Sequence, residues 1–331
     1  MERFNFQSEY IELEIKKRNA KRILLQFPEG IKQNSLDIVS ELQKKMDVEF
    51  IISGESCWGG CDINVDEAKR VGADLIVHFG HSQFMETKIP IVYVYVKDER
   101  DITELIKKSI KNLDKFYRIG LVTSIQHSHW LNSVKEFYEK NDKKVVIPAG
   151  LGRVFSEGQI IGCEYSGLKQ IKEKVDCVVI IGNRFHALGV ALALPDKTVF
   201  LIDSYNNVVE NMDKFRDKII KQRFVSIDKF KQAKKIGIIV SLKPGQHFGN
   251  VELIKKEFEK QKKEVLIITM NEISNEKLMN FYNLDGFVEL ACPRIATDDY
   301  SRYEKPVLTS REALVVLGKL TWEDLLEKGF V

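Results

Sequence analysis

The chain has 331 residues, which is long enough to bury a large core and to form two or three domains. Its 51 basic and 48 acidic residues give a net charge of +3, which argues against a general nucleic-acid binder and a polybasic membrane protein. Apolar runs fall short of the roughly 20 residues of a membrane span. The first residues show no signal-peptide pattern, and five scattered cysteines do not predict a secreted disulfide framework. We therefore expect a cytoplasmic protein with neither a direct nucleic-acid partner nor a membrane partner.

Predicted strands and helices alternate from the N-terminus onwards. A lead-in helix covers residues 1–20. The hydrophobic pattern then predicts strands at 22–27, 48–52, 73–79 and 89–96, with helices at 31–46 and 65–71. Short apolar strands that alternate with helices are typical of a parallel sheet covered by helices.

The same order begins twice more along the chain. The second series has predicted strands at 118–124, 145–147, 176–182 and 197–203. The third has predicted strands at 235–241, 265–268, 285–291 and 305–310. Charged helical connectors separate the three series, and an internal repeat of this kind defines the architecture. We predict an α/β protein of three similar α/β domains (1–112, 113–212 and 213–331) with mainly parallel sheets around a pseudo-threefold axis.

The loop at 55–62 follows a predicted strand and contains Cys57, Cys61 and two adjacent glycines. Glycines let a backbone fold closely around a bound group. Loops at the carboxyl ends of parallel strands are also where such sheets bind ligands. The simpler interpretation is that both cysteines are reduced and partly buried without binding anything.

The repeat distinguishes among the five cysteines. Cys61 lies 13 residues before Asp74, and Cys163 lies 13 residues before Asp176. Cys292 follows the equivalent strand of the third series. Each predicted domain therefore contributes one cysteine near the end of its sheet. Cys57 has no such counterpart, and Cys177 lies within a strand, where we expect a small core residue.

Three converging thiolates without a fourth protein ligand suggest a 4Fe–4S cluster with one open iron, where a substrate can coordinate. Zinc is the alternative metal, because Cys57 and Cys61 precede His78 and His81 in a loose imitation of a zinc-finger count. The His-x2-His spacing is tighter than usual for zinc. The usual radical S-adenosylmethionine signature is absent, since its third cysteine would stand at Asn64.

Several motifs resemble those of the archaeal diphthamide synthase family, the 2-(3-amino-3-carboxypropyl)histidine synthases of the first step of diphthamide formation. Two of them are Trp58-Gly59-Gly60-Cys61-Asp62 and Ala291-Cys292-Pro293-Arg294. The others lie at 73–82, 123–127, 158–163 and 185–189. The resemblance covers nearly the whole chain, and Cys57 is an extra thiol relative to the motif.

The resemblance implies that Cys61, Cys163 and Cys292 bind the 4Fe–4S cluster. It also implies a transferase that cleaves S-adenosylmethionine on the methionine side. The resulting 3-amino-3-carboxypropyl radical adds to one histidine of translation elongation factor 2. A reductant must supply the electron. Archaeal members of this family are generally homodimers, so we expect the same of this chain.

Other residues follow the predicted strands and are candidates for contact with substrate. The candidates for binding S-adenosylmethionine are Gln26, Glu29, Gly30, Ser241, Gly245, Gln246 and Arg294. Arg184 is a further candidate for the amino-acid carboxylate. His78, His81 and His186 are candidates for the chemistry, although a structural role is the default for any lone histidine.

Three other functions are open from the residues alone. The first is an enzyme similar to quinolinate synthase, which is also built from three domains with one cluster cysteine each. The second is a non-catalytic partner subunit that relays electrons. The third is a structural cluster or zinc site in a protein-binding scaffold.

Overall fold

In the computed structural model, which describes residues 3–154 and 156–331, three mainly parallel sheets form in succession along the chain. The N-terminal elements alternate as the hydrophobic pattern predicts. They are β1 (Phe4–Asn5), α1 (Ser8–Arg18), β2 (Arg22–Gln26), α2 (Ser35–Gln43), β3 (Glu49–Ile52), α3 (Val65–Arg70), β4 (Leu75–Phe79), β5 (Ile91–Val94) and β6 (Lys97–Asp98). The central strands β2 and β4 are almost wholly buried, as parallel strands covered on both faces require.

The second series repeats this alternation and adds an edge strand and a long helix. Its elements are α4 (Thr103–Ser109), β7 (Arg118–Thr123), α5 (Leu131–Glu139), β8 (Lys144–Val146), α6 (Ser166–Gln170), β9 (Cys177–Ile181), α7 (Arg184–Ala193), β10 (Thr198–Asp203), β11 (Val208–Asn211) and α8 (Asp213–Lys231).

The third series completes the chain. Its elements are β12 (Lys235–Ser241), α9 (Val251–Lys260), β13 (Glu264–Met270), α10 (Asn275–Met279), β14 (Gly286–Glu289), α11 (Pro293–Asp298), β15 (Val307–Leu308), α12 (Ser310–Val316) and α13 (Trp322–Lys328). In the described residues, no helix is both long and apolar enough to cross a membrane.

All three sheets have the same strand order. The first strand of each series is flanked by the second and third, and the fourth pairs with the third: β3-β2-β4-β5, β8-β7-β9-β10 and β13-β12-β14-β15. Every pair in these orders is parallel. β11 adds an antiparallel edge strand to β10, and β1 pairs with β6. The mainly parallel α/β fold is therefore confirmed.

Three aspartates mark equivalent positions in the three sheets. Asp74, Asp176 and Asp285 each precede the third strand of a series, and each carboxylate accepts backbone N–H bonds from the start of the first strand. The donors are Lys21 and Arg22 for Asp74, Tyr117 and Arg118 for Asp176, and Lys234 and Lys235 for Asp285. The same contact in each sheet supports the alignment from which the equivalence of Cys61 and Cys163 was inferred.

The chain divides into two compact units. The first contains residues up to 100, together with 125–127 and 243–245, and the second contains the remaining residues. The first unit has the sheet of β2–β5. The second has the other two sheets, and buried side chains of α8 (Ile219, Ile227 and Phe230) share one core with both of them. The predicted boundaries at 112/113 and 212/213 and the pseudo-threefold axis stay predictions.

Some elements differ from the predicted ones. The predicted helix at 31–46 begins as a 3-10 turn over Glu29–Asn34 and becomes α-helical only at Ser35. The helix α7 was not predicted, because most of its residues are apolar and buried and it has no polar face to give a periodic pattern. The strand β11 and the short helices of the third series were also missed.

Candidate functional site

The cysteine loop between β3 and α3 is packed closely in the first unit. A Cβ added at Gly60 would lie 2.8 Å from the Phe84 Cβ and 2.9 Å from the Ser82 carbonyl oxygen. Only glycine fits there without a shift of its neighbours. Cys61 is partly exposed in this loop, whereas Cys57 is buried. The exposed Trp58 lies between the two cysteines in sequence.

A buried ion pair fixes the end of this loop. The Lys243 ammonium lies 2.5 Å from an Asp62 carboxylate oxygen, and both side chains are buried. The same carboxylate accepts the Trp58 backbone N–H at 3.2 Å. Additional hydrogen bonds are what make a buried ion pair tolerable, because desolvating two charges is costly. The sequence analysis did not identify Lys243, because no sequence pattern indicates that it pairs with a residue 181 positions away.

Gly245 packs directly against Cys61. Its backbone N–H donates to the Cys61 carbonyl oxygen at 2.9 Å, and a Cβ at this position would lie 2.6 Å from the Cys61 Cα. Gly245 was predicted to bind substrate. The structure places it against the cysteine backbone, so its glycine is needed to shape the loop around Cys61.

The ends of β2 and β4 carry a buried polar chain. Gln26 and His78 are register partners on these neighbouring strands. The Gln26 amide donates to the Asp62 carbonyl oxygen at 2.7 Å, and its oxygen accepts the His78 Nδ1–H at 3.0 Å. His78 Nε2 lies 2.9 Å from His81 Nδ1. Cys57 joins this group, because one ligand atom of each of Cys57, His78 and His81 lies within 4.8 Å of the others.

His78 and His81 are both neutral at physiological pH. Burial, together with the neighbouring His81, holds the pKa of His78 well below its usual value. Burial lowers the pKa of His81 to about 4. Burial, followed by the nearby Asp62 and Glu29 carboxylates, raises the pKa of the Cys57 thiol well above its usual range. These groups can accept or donate hydrogen bonds, but they carry no charge near pH 7.

Glu29 and Gly30 differ from Gln26 in their exposure. The Glu29 side chain is 53% exposed; its carboxylate binds Lys32 and accepts the Cys57 backbone N–H at 3.3 Å. Gly30 has open space where a Cβ would point. The loop after β2 is therefore accessible at Glu29 and Gly30, while Gln26 is buried and bonded within the protein.

Cys163 lies in the second unit, in a turn closed by a bridge between Ile161 and Glu164. It is partly exposed. A Cβ at Gly162 would lie 2.5 Å from the Phe185 ring, so the turn needs glycine next to Cys163. Cys177, in contrast, lies buried in β9, and burial raises its pKa to about 12. The prediction that Cys177 is a core residue is confirmed.

Arg294 is buried beneath the Cys163 turn. Its guanidinium lies over the Phe185 ring, 4.0 Å from the centroid, and donates to the Phe185 carbonyl oxygen at 2.6 Å. It also forms two hydrogen bonds with the Asp298 carboxylate and one, at 3.4 Å, with the Tyr165 hydroxyl. A substrate carboxylate at Arg294 would compete with Asp298, and its role in binding stays a prediction.

Cys292 precedes α11 and is held by an unexpected acid. The buried Glu289 carboxylate accepts the backbone N–H groups of Ala291 and Cys292 at 3.0 and 2.9 Å. Burial raises the pKa of Glu289 well above its usual value. Sequence reasoning missed this residue, although a glutamate inside an apolar strand was a usable signal.

Four further candidates lie in the second unit. The Ser241 hydroxyl donates to the Gln246 side-chain oxygen at 3.4 Å, and both residues are buried. His186 lies in the first turn of α7, where its Nδ1–H donates to the Asn183 side chain at 2.9 Å. Arg184 forms two hydrogen bonds with Glu210 at the surface. His186 and Arg184 thus have structural partners, and their roles in the chemistry stay predictions.

Comparisons with known proteins agree with the motifs. The profile of the diphthamide synthesis protein family matches residues 27–326. The 2-(3-amino-3-carboxypropyl)histidine synthase of Pyrococcus horikoshii is 35% identical over 92% of this chain and 88% of its own length. Subunit 1 of the enzyme of the same name from Candida albicans is 32% identical over 97% of this chain and 76% of its own.

A solved structure extends the agreement to the fold. The crystal structure of Dph2 from Pyrococcus horikoshii with a 4Fe–4S cluster superposes with a TM-score of 0.87. The alignment has 33% identity and covers 98% of this chain and 94% of the other. The chain therefore belongs to the diphthamide synthesis protein family and is a transferase.

Proposed function

We propose that this chain is a 4Fe–4S enzyme that transfers the 3-amino-3-carboxypropyl group of S-adenosylmethionine to a histidine of translation elongation factor 2. This is the first step of diphthamide biosynthesis. The observation that carries the proposal is a family match over most of the chain together with cysteines at all three motif positions. The related structure from Pyrococcus horikoshii contains a 4Fe–4S cluster.

We assign the cluster to Cys61, Cys163 and Cys292. Iron–sulfur clusters are held by thiolates, and a thiolate needs a setting that is not wholly apolar. These three cysteines are partly exposed, whereas Cys57 and Cys177 are buried and have raised pKa values. The donor set therefore fits the cluster, and it offers three protein thiolates.

Hydrogen bonds and close packing hold the backbone at or next to each of these three cysteines. Glu289 binds the Cys292 N–H, Gly245 binds the Cys61 carbonyl oxygen, and Gly162 leaves room for Phe185. Positioning of this kind matters because reaction rates depend on reacting groups being held within fractions of an ångström.

When bound and reduced, the cluster supplies one electron to S-adenosylmethionine, and the carbon–sulfur bond on the methionine side breaks. The net reaction replaces the hydrogen on the imidazole carbon between the two nitrogens of the acceptor histidine. It releases 5′-methylthioadenosine and one proton. We propose that Glu29 and Gly30, which are accessible, face the sulfonium substrate, since a carboxylate stabilises a nearby cation.

Product analysis tests this function. Anaerobic, dithionite-reduced protein should convert S-adenosylmethionine to 5′-methylthioadenosine with little 5′-deoxyadenosine. With elongation factor 2 added, label from the carboxyl carbon should transfer to that protein, while methyl label should stay in 5′-methylthioadenosine. The matched control is Cys177→Ser, whose activity should equal that of the wild type.

Other outcomes would overturn the proposal. Methyl label on the acceptor would indicate a methyltransferase, and predominant 5′-deoxyadenosine would indicate a conventional radical enzyme. A cluster without cleavage of S-adenosylmethionine would indicate an electron-relay subunit. We include the electron-relay subunit because several eukaryotic relatives are named subunit 1. We place the reaction in the cytoplasm, where free cysteines stay reduced.

A further inference from the structure

Cys57, His78 and His81 form a second group of metal-binding side chains in the first unit. One ligand atom of each lies within 4.8 Å of the ligand atoms of the other two. Cys57 belongs to the cysteine loop, and the two histidines lie at and just beyond the end of β4. None of the three has a part in holding the cluster assigned above, so their convergence needs its own explanation.

The spacing of the histidine nitrogens is close to that of a metal site. His78 Nε2 and His81 Nδ1 are 2.9 Å apart. Zinc–nitrogen bonds of about 2.0–2.1 Å in a tetrahedral site place two nitrogen ligands about 3.3 Å apart. A small widening of the histidine pair therefore admits an ion.

The tautomer of His78 also suits a ligand. Gln26 is oriented by its amide, which donates to the Asp62 carbonyl oxygen, so its own oxygen faces His78 and accepts the Nδ1–H. Nε2 is then left with its lone pair directed at His81. Histidines that bind metals usually donate their other ring N–H to a carbonyl oxygen in this way.

The proposed ligands are buried, and two carboxylates hold the backbone of the cysteine loop beside them. Cys57 is 2% exposed and His78 is fully buried. The Glu29 carboxylate accepts the Cys57 backbone N–H at 3.3 Å, and the Asp62 carboxylate accepts that of Trp58 at 3.2 Å. Both carboxylates already pair with lysines, Glu29 with Lys32 and Asp62 with Lys243, so the Cys57 thiolate is the anionic protein ligand of the ion.

We propose that Cys57, His78 and His81 bind one zinc ion, separate from the iron–sulfur cluster. Three protein ligands and one open position are a usual zinc arrangement. On binding, the Cys57 thiol forms a sulfur–zinc bond and releases its proton to water. The Nδ1–H of His81, which donates to His78 Nε2 in the metal-free chain, is lost to water while its Nε2 takes up a proton, so both imidazoles bind as neutral groups. The ion joins the cysteine loop to the end of β4 and so fixes the segment that contains Cys61. The proposal does not depend on the reaction proposed above.

The test uses the full-length chain with Cys61→Ser, Cys163→Ser and Cys292→Ser combined, which removes the proposed cluster ligands. The probe is Co²⁺ alone. We expect one equivalent to bind and to give a thiolate-to-cobalt charge-transfer band together with intense tetrahedral d–d bands. Adding Cys57→Ser should abolish the charge-transfer band, and adding His78→Gln or His81→Gln should weaken Co²⁺ binding at least tenfold. Adding Cys177→Ser should change nothing.

A charge-transfer band that survives Cys57→Ser, or that is lost with Cys177→Ser, would overturn the proposal. The absence of the band in the triple variant would also overturn it, provided that circular dichroism shows a folded chain. If the triple variant does not fold, metal analysis of single variants decides instead. Zinc should then disappear with Cys57→Ser and persist with Cys61→Ser, and the opposite result would contradict the site. A variant that loses iron but retains zinc supports this proposal, because the two metals then occupy separate sites.

Discussion

At the scale of single residues, the five cysteines differ by their surroundings. Cys61, Cys163 and Cys292 are partly exposed on loops that follow strands or precede short helices, whereas Cys57 and Cys177 are buried. A buried thiol in an apolar setting resists ionisation and is chemically inert unless a metal lowers its pKa. Cys177 is such an inert buried thiol. Cys57 differs from it, because His78 and His81 lie close enough to bind a metal together with it.

Serine substitutions test the assignment of the cluster. Cys61→Ser, Cys163→Ser and Cys292→Ser should each abolish the cluster or lower its content severely, because a serine hydroxyl is a poor ligand for iron beside sulfide. Cys57→Ser and Cys177→Ser should keep it. Iron and labile-sulfide analysis of anaerobically purified protein measures the content. Retention of the cluster in Cys61→Ser with loss in Cys57→Ser would show that the alignment of the repeat is wrong.

Two glycines that were both predicted to bind substrate should respond differently to alanine. Gly245→Ala places a Cβ 2.6 Å from the Cys61 Cα, so the cysteine loop must move. We expect a loss of about 1–3 kcal/mol of stability, as for overpacked sites, and a lower iron content. Gly30→Ala is the matched control, because its Cβ meets open space. Urea unfolding measures the stability of the two variants, and iron analysis measures their iron content. Equal effects of the two substitutions would count against this packing.

At the scale of elements, Arg223 joins four segments of the second unit. From α8 it forms two hydrogen bonds with Glu312 of α12 and donates to the carbonyl oxygens of Ala296 in α11 and Val307 in β15. All of these contacts are buried. The helix that follows Cys292 is thus held to its sheet by a side chain about 70 residues earlier.

Removing this guanidinium should destabilise the second unit strongly. Arg223→Met leaves the Glu312 carboxylate buried without its partner, which typically costs about 3–5 kcal/mol. Adding Glu312→Gln removes the unpaired charge while keeping an oxygen for the helix cap, so the double variant should recover part of the loss. Urea unfolding of the four proteins gives the coupling. Additive effects of the two substitutions would contradict a direct pair.

The pairing of β1 with β6 should be sensitive to acid through Asp98. Burial acts to raise the pKa of Asp98, but hydrogen bonds from His127 and the Arg100 N–H outweigh it and lower the pKa to about 2. An aspartate with a depressed folded pKa contributes stability above its unfolded value of about 3.9. This contribution is lost as the pH falls through the folded value.

We therefore expect Asp98→Asn to be less stable than the wild type at pH 5–7, with the difference shrinking as the pH falls from about 4 to about 2. Chemical unfolding at several pH values measures the difference. Asp66→Asn serves as the control, because the Asp66 side chain is 83% exposed and its ion pair with Lys69 lies at the surface. A difference that does not change with pH would show that Asp98 acts through packing instead.

At the scale of the whole molecule, three sheets share one strand order and one aspartate contact. The resemblance to the family also predicts that the chain forms a homodimer. Light scattering at micromolar concentration should give twice the mass of the 38.2 kDa chain. A monomer under these conditions would contradict the prediction.

The sequence by itself determined the order of most of the strands and the parallel sheets, and it predicted the equivalence of Cys61 and Cys163. These follow from local periodicity and spacing, which a strand or helix expresses without distant contacts. The pairing of Lys243 with Asp62 and the meeting of Cys57 with His78 and His81 were decided by tertiary structure. Each contact joins side chains that meet only because of the paths of the loops and the order of the strands in the sheet. Loop paths and strand order produce no periodic pattern in the sequence.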